Sequence, residues 1–229
     1  MAIAKGCGVA CAFAFVSLQA LAAPVFDQAV DIGGARALLN LPELSRASII
    51  LVPGADGHLG IRPDGSFSRL HYNQLARTRK DYLKHSLATL LVDRDVSIAA
   101  AIAYMRMFAS PVVLVATSRG TLRVPAALAG KPDGIVLTSA FLGEIRTLVA
   151  TPAALPQTLI IHHRHDGCDL TPPSAVGPFE AWGSTKVAVQ WLTGGINSGD
   201  PCGARSYHGF NGLDDLVVST IAHFANAAR

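Results

Sequence analysis

The stretch Pro111–Thr121, PVVLVATSRGT, changes character part-way. Val112 to Ala116 is apolar, rich in β-branched residues and shows no alternation. A strand covered on both faces has that signature, whereas a half-exposed strand alternates. Thr117-Ser118-Arg119-Gly120-Thr121 follows, small and polar, and opens a helical pattern. Ser118 is therefore either a side chain presented at the carboxyl end of a buried strand or a serine capping the next helix. The surroundings decide between the two.

Working outward, the same unalternating character recurs in ARALLNL (35–41), SIILVPG (48–54), SLATLLVD (86–93), DGIVLTSA (133–140), QTLIIHH (157–163) and KVAVQWL (186–192). Helical patterns lie between them over 72–83, 97–107 and 119–128. A last one, 213–224, carries Leu213, Leu216, Val217, Ile221 and Phe224 at helical spacing. Strands alternating with helices predict an α/β fold with a mainly parallel central sheet and helices on both faces. In such sheets ligand sites form beyond the carboxyl ends of the strands, which is where Ser118 lies.

The first residues read as an address rather than as fold. MAIAK carries a lysine, the next stretch to Phe26 is uncharged, and CAFAFVSLQALA ends in a small-residue cleavage pattern. A signal peptide over 1–22 and a mature domain over 23–229 are expected. The apolar core is short and interrupted by Ser17 and Gln19, so no stable membrane anchor is expected after cleavage. The protein should be exported, to a periplasm or beyond the cell. Cys7 and Cys11 leave with the leader. The remaining pair, Cys168 and Cys202, reads as a disulfide in an oxidising compartment. The formal net charge is +3 over 229 residues with no basic run, so nucleic acid is not an expected partner.

Ala116-Thr117-Ser118-Arg119-Gly120 resembles the G-x-S-x-G nucleophile elbow of the α/β-hydrolases, in which a tight strand-to-helix turn presents the serine hydroxyl. Gly120 matches the pattern and Ala116 departs from it by one methyl group. The resemblance implies an acid and then a histidine, each after a later strand. Asp166 follows QTLIIHH in Arg164-His165-Asp166-Gly167-Cys168. His208 follows KVAVQWL in Ser206-Tyr207-His208-Gly209-Phe210, ahead of the last helix. Asp169 and Glu144 are the other carboxylates near these positions. The likeness runs from SIILVPG to the end of the chain. It implies an oxyanion hole from the backbone N–H of Arg119 and a second N–H in the loop Pro53–Gly60, from Ala55 or its neighbour Gly54. It implies too that the Asp166 and His208 loops meet, so that a Cys168–Cys202 bridge would tie them. Only Phe141–Pro156 separates DGIVLTSA from QTLIIHH, enough for one crossing helix and no large cap domain.

The expected chemistry is that of a serine hydrolase acting on a small-molecule ester-like bond, carboxylesterase-like, with no cofactor. A thioesterase or peptidase would use the same triad. The alternative from another class is a non-catalytic binding protein that keeps the fold. His162, His163 and His165 beside Asp166 look like metal ligands. Neighbours on a strand point to opposite faces, however, so no metal is expected, and His165 is placed beside the site. Arg77 and Arg79 read as the solvated face of a polar helix. Arg119 and Asp56 are the remaining charged residues in reach of a substrate.

Overall fold

The computed structural model describes Met1 and residues 27–228. The leader expected over 1–22 lies outside the described residues. The strands are β1 (Gln28–Ile32), β2 (Ala35–Asn40), β3 (Ala47–Val52), β4 (Leu87–Val92), β5 (Val112–Thr117), β6 (Gly134–Thr138), β7 (Gln157–His163) and β8 (Val187–Leu192). They form one sheet in the order β1-β2-β4-β3-β5-β6-β7-β8. β1 and β2 pair antiparallel, and β2 runs antiparallel to β4; every later pairing is parallel. The α-helices are α1 (Gln74–Arg77), α2 (Ile98–Met105), α3 (Val124–Ala127), α4 (Leu142–Leu148), α5 (Val176–Gly183) and α6 (Asp214–Ala227).

Every residue of β3, β4, β5 and β6 is buried. That is why these strands do not alternate: both of their faces are dry. On one face Ile50, Leu114, Ile135 and Ile160 pack with Ile102, Val124, Ile145 and Phe179 from α2 to α5. On the other, Ile49, Leu51, Val113 and Val115 pack with Leu75 of α1 and with Val217, Val218 and Ile221 of α6. Each such side chain contributes roughly 2 kcal/mol through burial. Among the described residues no helix is long and apolar enough to cross a membrane.

Local structure departs from the sequence reading in four places. β1 was not foreseen, and neither was α5. The pattern over 72–83 is not one helix: α1 stops at Arg77 and a 3-10 turn spans Asp81–His85. Thr78 Oγ1 bonds back to the Gln74 carbonyl at 2.8 Å, and Arg77 and Arg79 are drawn to different partners, Asp214 and Asp27. The pattern over 119–128 is a 3-10 turn, Ser118–Arg123, that passes into α3. Pro125 has no N–H to donate to the preceding turn, so one continuous α-helix cannot form there. The segment between β6 and β7 holds α4 and a 3-10 turn, Pro152–Ala154, with no cap domain.

Candidate active site

β5 ends at Thr117, and Ser118 opens the 3-10 turn with φ +50°. A non-glycine residue in this left-handed region costs about 1–2 kcal/mol, so the surroundings must impose it. Thr121 Oγ1 donates to the Ser118 carbonyl at 2.6 Å and accepts from the Phe141 N–H at 3.1 Å. A Cβ on Gly120 would sit 2.4 Å from the Pro53 carbonyl oxygen and 2.6 Å from that of Val52. The turn thus lies directly on the end of β3, and only glycine allows it. Ala116 stands between Val52 and Leu137 in the sheet, fully buried, so its methyl is accommodated.

His208 sits in a 3-10 turn, Tyr207–Gly209. The Ser206 hydroxyl accepts its N–H at 3.2 Å, and Ser139 Oγ donates to its carbonyl at 2.8 Å. Arg77 donates to the Gly209 carbonyl at 2.8 Å while paired with Asp214 at 2.7 Å. Its place as a clamp on this loop corrects the reading of Arg77 as a solvated residue; Arg79 likewise pairs with Asp27 at 2.6 Å.

These loops bring three side chains into one line. His208 Nε2 is 3.0 Å from Ser118 Oγ, and His208 Nδ1 is 3.0 Å from Asp166 Oδ2. The buried carboxylate is well supplied. Oδ1 accepts the Cys168 N–H at 2.9 Å, and Thr171 Oγ1 lies 3.4 Å from Oδ2 and 3.1 Å from His208 Nδ1. Asp169 and Glu144 are exposed and take no part. A cleft of about 390 Å³ opens over Ser118 and His208, with Ala55, Tyr72, Cys202 and Ala204 among its walls. Arg119 is the second residue of the 3-10 turn, where an N–H has no intrahelical acceptor. Ala55 lines the cleft beside Ser118.

No protein-family model matches the chain, and no curated protein does. Solved structures do match. The esterase domain of a Rhodothermus marinus protein superposes with a TM-score of 0.62 at 11% identity, over 90% of this chain and 99% of that one. Dienelactone hydrolase from Anabaena variabilis gives 0.58 at 14%, over 89% and 95%. An α/β serine hydrolase without a lid from Xanthomonas campestris gives 0.57 at 14%, over 86% and 96%. The chain has the α/β-hydrolase fold.

In this α/β-hydrolase fold the loops bearing Asp166 and His208 meet at one edge of the cleft, and Cys168 and Cys202 are bonded there. The bridge closes a separation of 34 residues, worth roughly 3–4 kcal/mol in the chain-entropy model. Because Cys168 holds the Asp166 carboxylate through its N–H and Cys202 lines the cleft, reduction is expected to lower activity at temperatures where the sheet is still folded. Activity and far-ultraviolet dichroism followed together through a reductant titration check this; full activity after verified reduction would remove the bridge from the site's support.

The histidines of β7 diverge as strand neighbours must. His163 Nε2 donates to the Gly194 carbonyl at 3.0 Å, its Nδ1 accepts the His165 N–H at 3.1 Å, and its ring stacks on Tyr207 at 4.2 Å. His162 turns the other way, fully buried, towards Asp166. His165 is exposed and does not line the cleft, against the expectation for it. Among the described residues no group of three or more His, Cys, Asp or Glu side chains is placed to hold a metal ion.

Burial pushes the His162 imidazole down to about 4, with the Asp166 charge opposing. The folded state therefore binds a proton on His162 less readily than the unfolded chain. This contribution to stability is complete above the ordinary histidine range and is lost as pH falls from about 6.5 towards 4, to the extent of about 3 kcal/mol. Denaturant unfolding at pH 7 and pH 4.5 should show this loss in the wild type and a smaller one in His162→Gln. Equal losses would contradict it.

Thr171, Ser139 and Arg77 were not singled out from sequence as parts of the site. Thr171 has no spacing signal, and Ser139 and Arg77 act from segments far from the residues they hold. His162, next to the acid's turn, stood out in the sequence only as an apparent metal ligand.

Proposed function

We propose that this protein is a serine hydrolase, carboxylesterase-like, that cleaves an ester-like bond in a small molecule through an acyl-enzyme. The observation that carries the reading is the unbroken line Ser118 Oγ, His208, Asp166, with both spacings at 3.0 Å. A serine hydroxyl is a weak nucleophile until a base within hydrogen-bond reach takes its proton. His208 is that base. Asp166 holds its tautomer and stabilises the imidazolium. Ser118 attacks the carbonyl, and the oxyanion is received by the N–H groups of Arg119 and Ala55, each worth roughly 3 kcal/mol in the transition state. His208 returns the proton to the leaving alcohol, then activates water to release the acid. The reading needs no cofactor. The esterase and hydrolase names of the structural neighbours support it at the level of reaction class.

The open cleft, without a cap, argues against a lipase that must be opened at an interface. We place the mature domain at 23–229 and the protein in a periplasm or outside the cell, a placement supported by the disulfide. A fluorophosphonate probe tests the reading: it should label the wild type and leave folded Ser118→Ala unlabelled. A folded wild type that takes up no probe points to the binding-protein alternative. A panel of aryl esters, thioesters and peptides then sorts the bond cleaved.

A further inference from the structure

His162 is expensive where it stands. It belongs to β7, with Ile161 and His163 turned to the opposite face of the sheet, and its residue surface is fully buried. Its ring meets the edge of Trp191 on β8 at 5.9 Å. Neither ring nitrogen has a partner at good hydrogen-bond geometry, although the Thr171 backbone carbonyl is close enough to favour a proton on the ring. A leucine or phenylalanine would fill this space without stripping two polar atoms of water, and buried polar atoms left unpaired are rare enough to require a reason. Nε2 lies 3.5 Å from Asp166 Oδ2, the oxygen that also faces His208 Nδ1.

We propose that His162 is a positioning residue for Asp166, directing its Nε2–H at Oδ2 and so limiting how strongly the carboxylate holds a proton on His208. At 3.5 Å the contact is a charge–dipole interaction rather than a hydrogen bond, and the dry surroundings strengthen it. The charged and titratable groups around the ring are Asp166, His208 beyond that carboxylate, His163 next along the strand, and Arg164, which stacks over Trp191 at 5.0 Å. Burial keeps His162 uncharged through the range in which His208 must work as a base, so it presents one N–H and one lone pair. An N–H aimed at Oδ2 stabilises the carboxylate's own charge. Without it, Asp166 would stabilise the imidazolium of His208 more, and the base would stay protonated to higher pH.

The inference rests on reading Ser118, His208 and Asp166 as the catalytic relay, yet it can be tested without turnover. Imidazole resonances of the intact protein, followed by NMR through a pH titration, report His208 directly. In His162→Phe the midpoint for protonation of His208 should rise by roughly half a pH unit or more, and the acidic limb of kcat/KM should rise with it. In His162→Gln, whose amide nitrogen can take the place of Nε2, both should remain near wild type. A folded His162→Phe with an unmoved His208 midpoint overturns the inference, since a space-filling role would leave that midpoint alone. The wild type supplies a second check should the phenylalanine variant not fold. The ¹⁵N shifts of His162 must be those of the Nε2–H tautomer, and the Nδ1–H tautomer overturns the inference. Failure of the relay itself would appear separately, as hydrolysis that survives Ser118→Ala.

Discussion

Ser118→Ala is expected to lower hydrolysis of a small aryl ester by about four orders of magnitude or more, because members of a catalytic relay act as a unit. His208→Ala should fall to a similar residual rate. The substitution removes one hydroxyl and its contact with His208 Nε2, while the turn's other ties remain: the Thr121 bond to the Ser118 carbonyl and the seat of Gly120 on β3. Alanine bears the same penalty as serine at φ +50°, so the unfolding free energy should change by less than about 1 kcal/mol. Purified variant and wild type compared on one ester, with thermal melts alongside, check both parts. A folded Ser118→Ala retaining more than roughly one per cent of wild-type turnover would mean that another group is the nucleophile.

Gly120→Ala should be the most damaging single methyl addition near the site. The new Cβ would lie 2.4 Å and 2.6 Å from two carbonyl oxygens of the β3 end. Those atoms are backbone in the middle of the sheet and cannot swing aside, so the turn must lift off β3. A cost of about 3 kcal/mol or more is expected, with the Ser118–His208 alignment lost as well. Gly143→Ala is the control: its added methyl meets nothing within 4 Å, and stability should hold or rise slightly. Denaturant midpoints of both variants decide the matter. Wild-type stability and activity in Gly120→Ala would show that the turn does not need this close approach.

The core of the fold was legible because its strands are buried on both faces and carry the residues that such burial demands; Ile49, Ile50 and Leu51 leave no room for another reading. β1 escaped notice because Gln28 and Asp31 break up a short edge strand with little to bury. The segment around α1 misled because Leu75 and Tyr82 do fall at helical spacing. Both are buried, but the chain reaches the second by a turn rather than by a continuing helix. At the site, Ser118, Asp166 and His208 were legible through their order and their positions after strands, and they now stand within hydrogen-bond reach of one another. Thr171 and Arg77 were not legible. Their partners are side chains and carbonyls brought in by tertiary structure, at Asp166 and Gly209, and no periodicity records such a meeting.

The placement of α6 has a bearing on how the chain comes into being. The middle of one sheet face, Ile49, Leu51, Val113 and Val115, is roofed by Val217, Val218 and Ile221 from the last element in the sequence. A ribosome delivers the N-terminal part first, so β3 to β8 are all synthesised while that face still lacks its roof, and the stretch bearing His208 arrives only just before it. The part of that face which α6 covers therefore stays open until the end of synthesis, and the proposed relay lacks its base until His208 has emerged.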